Sequence, residues 1–202
     1  MRKLFVILIA LTLSSIVVAQ DNTKVKEVGL TFRNLDNFGF SYKVGTEQSL
    51  WRFNAISISG SSNSQSFEDD DDDIDSNHFG FGFSAGKEYR KLIAKNLEYR
   101  YGFDFSFNYS HSKRTQPSYS QYSQYDTAES DFYTPGFNLV FGVNYIVSKH
   151  LVLGAELMPY LNYTFGESST GDDDYDKEIT DHSNFSYGFN SSSVLLSVAY
   201  RF

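Results

Sequence analysis

Cysteine is absent from the 202 residues. That absence excludes a disulfide framework, and it excludes a lipoprotein, whose lipid sits on a cysteine after the leader. No stretch beyond the first twenty residues holds eighteen consecutive apolar side chains, so no transmembrane helix is expected there. Excess positive charge is also missing. The formal net charge is −8, which argues against nucleic acid as a partner. Mean hydropathy is low, −0.37, as in a soluble protein. Aromatic residues are nevertheless abundant at 17%, with 19 Phe and 15 Tyr. A chain that exposes only every second side chain to lipid hides its membrane signal in this way.

The first residues form a unit of their own. Arg2 and Lys3 precede the apolar run Leu4–Val18, and Val17 and Ala19 are the small residues a signal peptidase needs. The run is short for a hydrocarbon core of about 30 Å. Residues 1–19 therefore read as a secretory signal peptide cut between Ala19 and Gln20, and residues 20–202 as one domain.

Period-two alternation dominates that domain. From Leu97 to Ser110, one face carries Leu97, Tyr99, Tyr101, Phe103, Phe105, Phe107 and Tyr109, while the other carries Glu98, Arg100, Gly102, Asp104, Ser106 and Asn108. A helix would scatter these residues, whereas a strand separates them. The same pattern predicts strands over Val25–Asn34, Asn37–Thr46, Leu50–Ser61, His78–Arg90, Phe132–Val147, Leu151–Gly166 and Asn184–Phe202. The apolar set changes parity between Ala55 and Ile56, which predicts a bulge.

The seven connections alternate in length. Residues 47–49, 91–96 and 148–150 form one short set; residues 35–36, 62–77, 111–131 and 167–183 form the other, long except for its first member. Short periplasmic turns and long outer loops are the pattern of outer-membrane barrels. Each strand also reaches the roughly 9–11 residues needed to cross a bilayer at a tilt, and the longer ones have residues to spare for a raised rim.

Alternation leaves open which face meets lipid, since a soluble eight-stranded barrel would bury its aromatics. Glycine settles the expectation. Gly29, Gly39, Gly45, Gly80, Gly82, Gly86, Gly102, Gly142 and Gly154 share the polar face. Glycine weakens a solvent-facing strand, but a narrow lumen needs small residues between large ones. Trp51, Tyr89, Tyr99, Tyr145 and Tyr200 lie toward the short turns, and Tyr109, Tyr133 and Tyr163 toward the long loops. Two aromatic girdles are expected where lipid meets water. The chain reads as all-β: an eight-stranded antiparallel up-and-down transmembrane β-barrel in the outer membrane of a Gram-negative bacterium.

The last strand carries a family likeness. Leu196, Val198, Tyr200 and the terminal Phe202 alternate, and this segment resembles the closing strand of small outer-membrane β-barrels of the OmpA/OmpX type. The resemblance implies that these four residues form the signal read by the barrel assembly machinery. Phe185, Tyr187 and Phe189 fall out of phase with them, so either residues 190–193 hold a bulge or that part of the strand stands above the membrane.

Charges of both signs fall on the inward face: Glu27, Arg33, Lys43, Arg52, Glu88, Arg90, Glu98, Arg100, Asp104, Glu156 and Arg201. Isolated charges in a narrow lumen are costly, so ion pairs between hairpin neighbours are expected, closing the barrel. The acidic runs Asp69–Asp73 and Asp172–Asp176 read as solvated loops. The second lacks the glycine and closing glutamate of a calcium loop, and no metal or cofactor is expected. Residues 117–125 are rich in Tyr and Ser, a composition suited to adaptable contacts, although an outer-loop ligand is not legible. His111 and His182 have Ser110, Ser112 and Asp181 as sequence neighbours, but strand neighbours point to opposite faces, so no enzyme is expected. The function expected is a monomeric barrel embedded in outer-membrane lipid, with a structural or surface-interaction role. A narrow pore is the alternative, and a rim-sited lipid-modifying enzyme the least favoured.

Overall fold

The computed structural model describes residues 24–34, 37–67, 70–117, 125–171, 177–189 and 193–202. Segment 1–19, expected to be a signal peptide, the centre of the Tyr/Ser-rich segment and the run Asp172–Asp176 lie outside the described residues. Ten strands are present: β1 (Val25–Asn34), β2 (Asn37–Gly45), β3 (Ser49–Phe67), β4 (Asp70–Ala94), β5 (Leu97–Pro117), β6 (Tyr125–Ile146), β7 (Leu151–Leu157), β8 (Tyr160–Gly171), β9 (Glu178–Gly188) and β10 (Val194–Arg201). β7 with β8, and β9 with β10, are the two halves of the expected seventh and eighth strands.

All pairings are antiparallel. Each of β1 to β6 pairs with the next, β6 pairs with β7, β7 with β10, and β10 returns to β1. The sheet thus closes into the expected eight-membered ring. Closure removes both sheet edges. Its seam sets Glu27 opposite Arg201 and Phe32 opposite Leu196.

Two interruptions differ in kind. At Met158–Pro159 the seventh strand breaks, yet its pairing with β6 keeps one register, from Phe141↔Leu157 to Asn138↔Tyr160. On the other side, Leu157 pairs with Val194 while Tyr160 pairs with Gly188. Three residues advance on one strand and six on the other, so the register shifts by three residues between Gly188 and Val194. An odd offset reverses parity, which puts Phe185 and Tyr187 on the same face as Leu196 and Val198. A one-residue shift between Ala55 and Ser57 likewise accounts for the parity change in β3.

The long loops need correction. The β3–β4 ladder continues to Phe67↔Asp70, the β5–β6 ladder to Pro117↔Tyr125, and the β8–β9 ladder to Thr170↔Glu178. Most of the supposed loop residues are therefore strand. They form a six-stranded sheet, β3-β4-β5-β6-β8-β9, standing above the ring. It stays open, because β1 and β2 end at Asn34 and Asn37 and give it no further neighbours. The turn expected over 91–96 shrinks to residues 95–96, because β4 runs on to Ala94.

Candidate functional site

The wall of the ring sorts its side chains by parity. Outward, Phe38, Phe40, Trp51, Phe53, Phe83, Phe105, Tyr145, Leu196 and Tyr200 are all exposed. Neighbouring rings touch along this surface: Phe105 against Phe137 at 5.3 Å, Tyr89 against Tyr101 at 5.5 Å, Tyr109 against Tyr133 at 5.2 Å. Inward, Glu27, Lys43, Arg52, Glu88, Arg90, Glu98, Arg100, Asp104 and Glu156 are buried, and Arg201 is half-buried. Every expected lumen charge with a described side chain lies inside. The side chain of Arg33 is outside the described residues.

These groups form one network in two tiers. In the upper tier the Arg52 guanidinium donates to both oxygens of Glu156, at 2.8 and 3.2 Å, and to Glu88 at 3.1 Å. Its Nε lies 3.1 Å from Asp104 Oδ1. Glu88 also accepts from Lys43 Nζ at 2.8 Å and from Arg90 Nε at 2.6 Å. In the lower tier Arg90 clasps Glu27 through two bonds of 2.6 and 2.7 Å. Arg201 donates to Glu27 at 2.7 Å and to Glu98 at 3.1 and 2.9 Å. Five carboxylates meet five cations, so the network is neutral. Bidentate Arg–carboxylate geometry is the strong form of such pairing.

Some partners sit on neighbouring strands, as Arg52 on β3 with Glu88 on β4 at 3.1 Å, but others span the lumen: Arg52 also reaches Glu156 on β7, and Arg90 on β4 reaches Glu27 on β1. The hairpin pair Arg90–Glu98 is long, at 3.8 Å. Neutral residues that the charge pattern did not reveal complete the filling. Asn144 donates to Glu98 at 3.1 Å, Asn54 to Ser84 at 3.0 Å, and Leu50, Val140 and Val152 are buried beside them.

Arg100 is the exception. It is buried, yet its nearest acids, Glu156 and Glu88, are 3.7 and 3.8 Å away, and its Nε and Nη2 have no hydrogen-bond partner. Glycine makes its space. A Cβ on Gly142 would stand 2.9 Å from Arg100 Nε, and one on Gly154 would stand 2.7 Å from its Nη2. Both approaches are closer than carbon and nitrogen tolerate, which explains glycine on this face.

The rim holds further polar groups. On the outward face of the β5–β6 hairpin, just above the Tyr109–Tyr133 pair, Asp131 Oδ1 accepts from the Tyr109 hydroxyl at 2.6 Å and lies 3.1 Å from His111 Nδ1. The Tyr109 hydrogen bond, with His111 assisting, holds the Asp131 carboxyl below its usual range despite some desolvation. On the inward face, Ser168 Oγ lies 2.7 Å from His182 Nε2, and Phe132 packs against that imidazole. Ser168 is not singled out by the sequence pattern, since it lies fourteen residues from His182 and meets it only through the β8–β9 register. The pair is exposed, and no acid orients the imidazole among the hydrogen bonds described.

No family model matches the chain, and no curated protein matches it. Solved structures do show likeness. A major outer membrane protein from Thermus thermophilus is 13% identical with a TM-score of 0.48, over 90% of this chain and all of that one. CarO of Acinetobacter baumannii is 10% identical with a TM-score of 0.35, over 90% and 97%. Ail, the attachment invasion locus protein of Yersinia pestis, is 12% identical with a TM-score of 0.31, over 89% and 95%.

Proposed function

We propose that this closed antiparallel ring is an integral outer-membrane protein, exported by a cleaved signal peptide, whose lumen is closed by ion pairs. Its work is then structural, or surface interaction through the tall rim and the loops that cap it. The observation that carries this reading is the inversion of the usual protein. Charge is buried inside the ring, and an apolar and aromatic belt is exposed around it. A monomer in water rarely exposes a contiguous apolar patch beyond about 300–600 Å². Lipid removes that difficulty, and a closed barrel satisfies every backbone group the bilayer cannot.

Phe202 supports the assembly role implied for the last strand. Its backbone N–H donates to Lys26 O at 2.9 Å and its carbonyl accepts from Lys26 N at 2.9 Å. The residue that resembles the assembly signal also fastens the seam.

A narrow pore is the second reading, and one observation favours it. Asn54 Oδ1 and Arg100 Nε and Nη2 are buried without a hydrogen-bond partner, and Arg52 Nε and Asp104 Oδ1 meet only each other, in an ion contact of 3.1 Å. Buried polar atoms of this kind are commonly satisfied by water, and a file of water would let small ions follow.

The test combines location and conductance. Expressed in a Gram-negative host, the full chain should fractionate with the outer membrane and run as a heat-modifiable band. In a planar bilayer the purified protein should give no steady current. A chain that stays soluble without detergent would remove the membrane reading. A steady conductance, lost on changing Arg52 or Glu156, would replace the closed lumen by the pore.

A further inference from the structure

We propose that the outer wall carries a binding site for a divalent transition cation, with Zn²⁺ the best-matched ion, formed by His111, Asp131 and Glu129. This site does not depend on whether the lumen conducts.

The β5–β6 ladder builds it. His111 stands opposite Asp131, and Glu129 precedes Asp131 by two residues on β6. In a strand, residues two apart share a face, and direct cross-strand partners have Cβ atoms about 5 Å apart. Three liganding side chains therefore converge from backbone positions that the ladder fixes. One donor atom from each lies within 4.8 Å of the others, and all three residues are half-buried. The trio sits one row above the Tyr109–Tyr133 pair, on a hairpin whose pairing runs unbroken from Leu97↔Tyr145 to Pro117↔Tyr125.

The distances suit a small ion. Ligands about 2.0–2.1 Å from a tetrahedral zinc lie roughly 3.4 Å from one another. His111 Nδ1 and Asp131 Oδ1 are already 3.1 Å apart. Only Glu129, which has the longest side chain of the three acid and imidazole ligands, must rotate inward. Nδ1 must offer its lone pair, so the ring proton resides on Nε2 when metal is bound. Asp131 arrives oriented by the Tyr109 hydroxyl, which donates to Oδ1 at 2.6 Å. A hydrogen bond from outside the ligand set is how metal sites hold a carboxylate in place.

The donor set selects the ion. Imidazole suits Zn²⁺, Cu²⁺ and Ni²⁺, whereas Ca²⁺ asks for six to eight oxygens. Three protein ligands leave at least one coordination position open, to be filled by water or by an oxygen from outside the chain. Glu167, the β8 partner of Asp131, adds negative charge beside the trio. Lys113, opposite Glu129, opposes the cation.

The experiment uses the full chain without a polyhistidine tag, refolded in detergent. Co²⁺ titration should give visible d–d absorption saturating at one equivalent, and Zn²⁺ should displace it while millimolar Ca²⁺ does not. His111→Ala and Asp131→Asn should abolish the signal with heat-modifiable mobility retained, and Tyr109→Phe should weaken binding by about tenfold or more. A measurement on the unaltered chain guards against variants that fail to fold: Zn²⁺ should protect His111 from diethylpyrocarbonate, read by mass spectrometry. The proposal is overturned by any of three results. These are a signal that survives in both variants, displacement by Ca²⁺ as readily as by Zn²⁺, or modification of His111 at the same rate with and without Zn²⁺.

Discussion

The ring and the sheet above it are made of the same strands and obey the same twofold alternation, yet they are different objects. In the ring each strand has two neighbours, one face buries charge and the other exposes aromatics. In the extension β9 is exposed along nearly its whole length, and polar residues fall on both faces. The difference is set by neighbours and medium. Where β1 and β2 stand beside the others, the sheet closes on itself and its two faces meet different surroundings. Where they have ended, the same ladder has water on both sides.

Substitutions inside the ring should be felt most. Arg52→Ala or Glu156→Ala leaves buried carboxylates or a buried guanidinium without its partner and should cost about 3–5 kcal/mol. Arg100→Ala should cost clearly less, because its ion contacts are long and two of its nitrogens are unbonded. Urea unfolding in lipid vesicles measures both. Equal losses for Arg52 and Arg100 would mean that the network is not organised around Arg52.

Next in size comes a pair of glycines. Gly154→Val drives a branched side chain into Arg100, Ser197 and Asn144 and should cost about 1–3 kcal/mol. Gly60→Ala, in the extension, meets nothing nearer than a carbonyl at 3.8 Å. It should change stability by less than about 0.5 kcal/mol. A large effect at Gly60 would show that the extension supports the ring.

Smaller still is an effect of the apolar residues on β9. Phe185→Ser and Tyr187→Ser alter exposed rings on β9. They should leave the melting temperature of the ring almost unchanged while lowering retention on lipid vesicles. Loss of fold in either variant would place β9 within the closed unit.

The smallest expected effect is a titration at the rim. The folded-state pKa of Asp131 is lowered, chiefly by Tyr109, so its contribution is present above the carboxylate's unfolded pKa and fades as pH falls through the folded value. In Tyr109→Phe, Asp131 should titrate at higher pH than in the parent, as read by carboxyl ¹³C NMR. An unmoved titration would assign the shift to His111 instead.

Strand parity was fully legible, because the outward face of the ring is exposed and apolar while the inward face is packed with charge, and each imposes its own residue class. The parity change at Ile56 was read as a bulge, and the change ahead of Val194 was visible as a break in phase. The extension was not legible as strand. Residues such as Ser61–Gln65 and Ser168–Thr170 are polar on both faces, and period two disappears from a sequence when both faces meet water. The lumen charges were identified individually, but not their partners. Which residue faces which across a barrel depends on strand tilt and stagger, and alternation carries no trace of either. Asn54 and Asn144 went unnoticed for a related reason, since a neutral amide on a polar face looks like any other spacer.

The seam between β1 and β10 has a kinetic consequence. Arg201 and Glu27, which meet there through a 2.7 Å bond, are 174 residues apart in sequence. Bringing the ends of so long a segment together costs about 4.6 kcal/mol of chain entropy before any seam contact forms. Hairpins such as β4–β5 close almost without that penalty. Topologies dominated by distant pairings fold slowly, so the ladders around the ring should form early and the seam last. Until then β1 and β10 are two unpaired edges, open to other chains. A catalyst that holds the last strand during this interval would shorten the time for which the edges stand open.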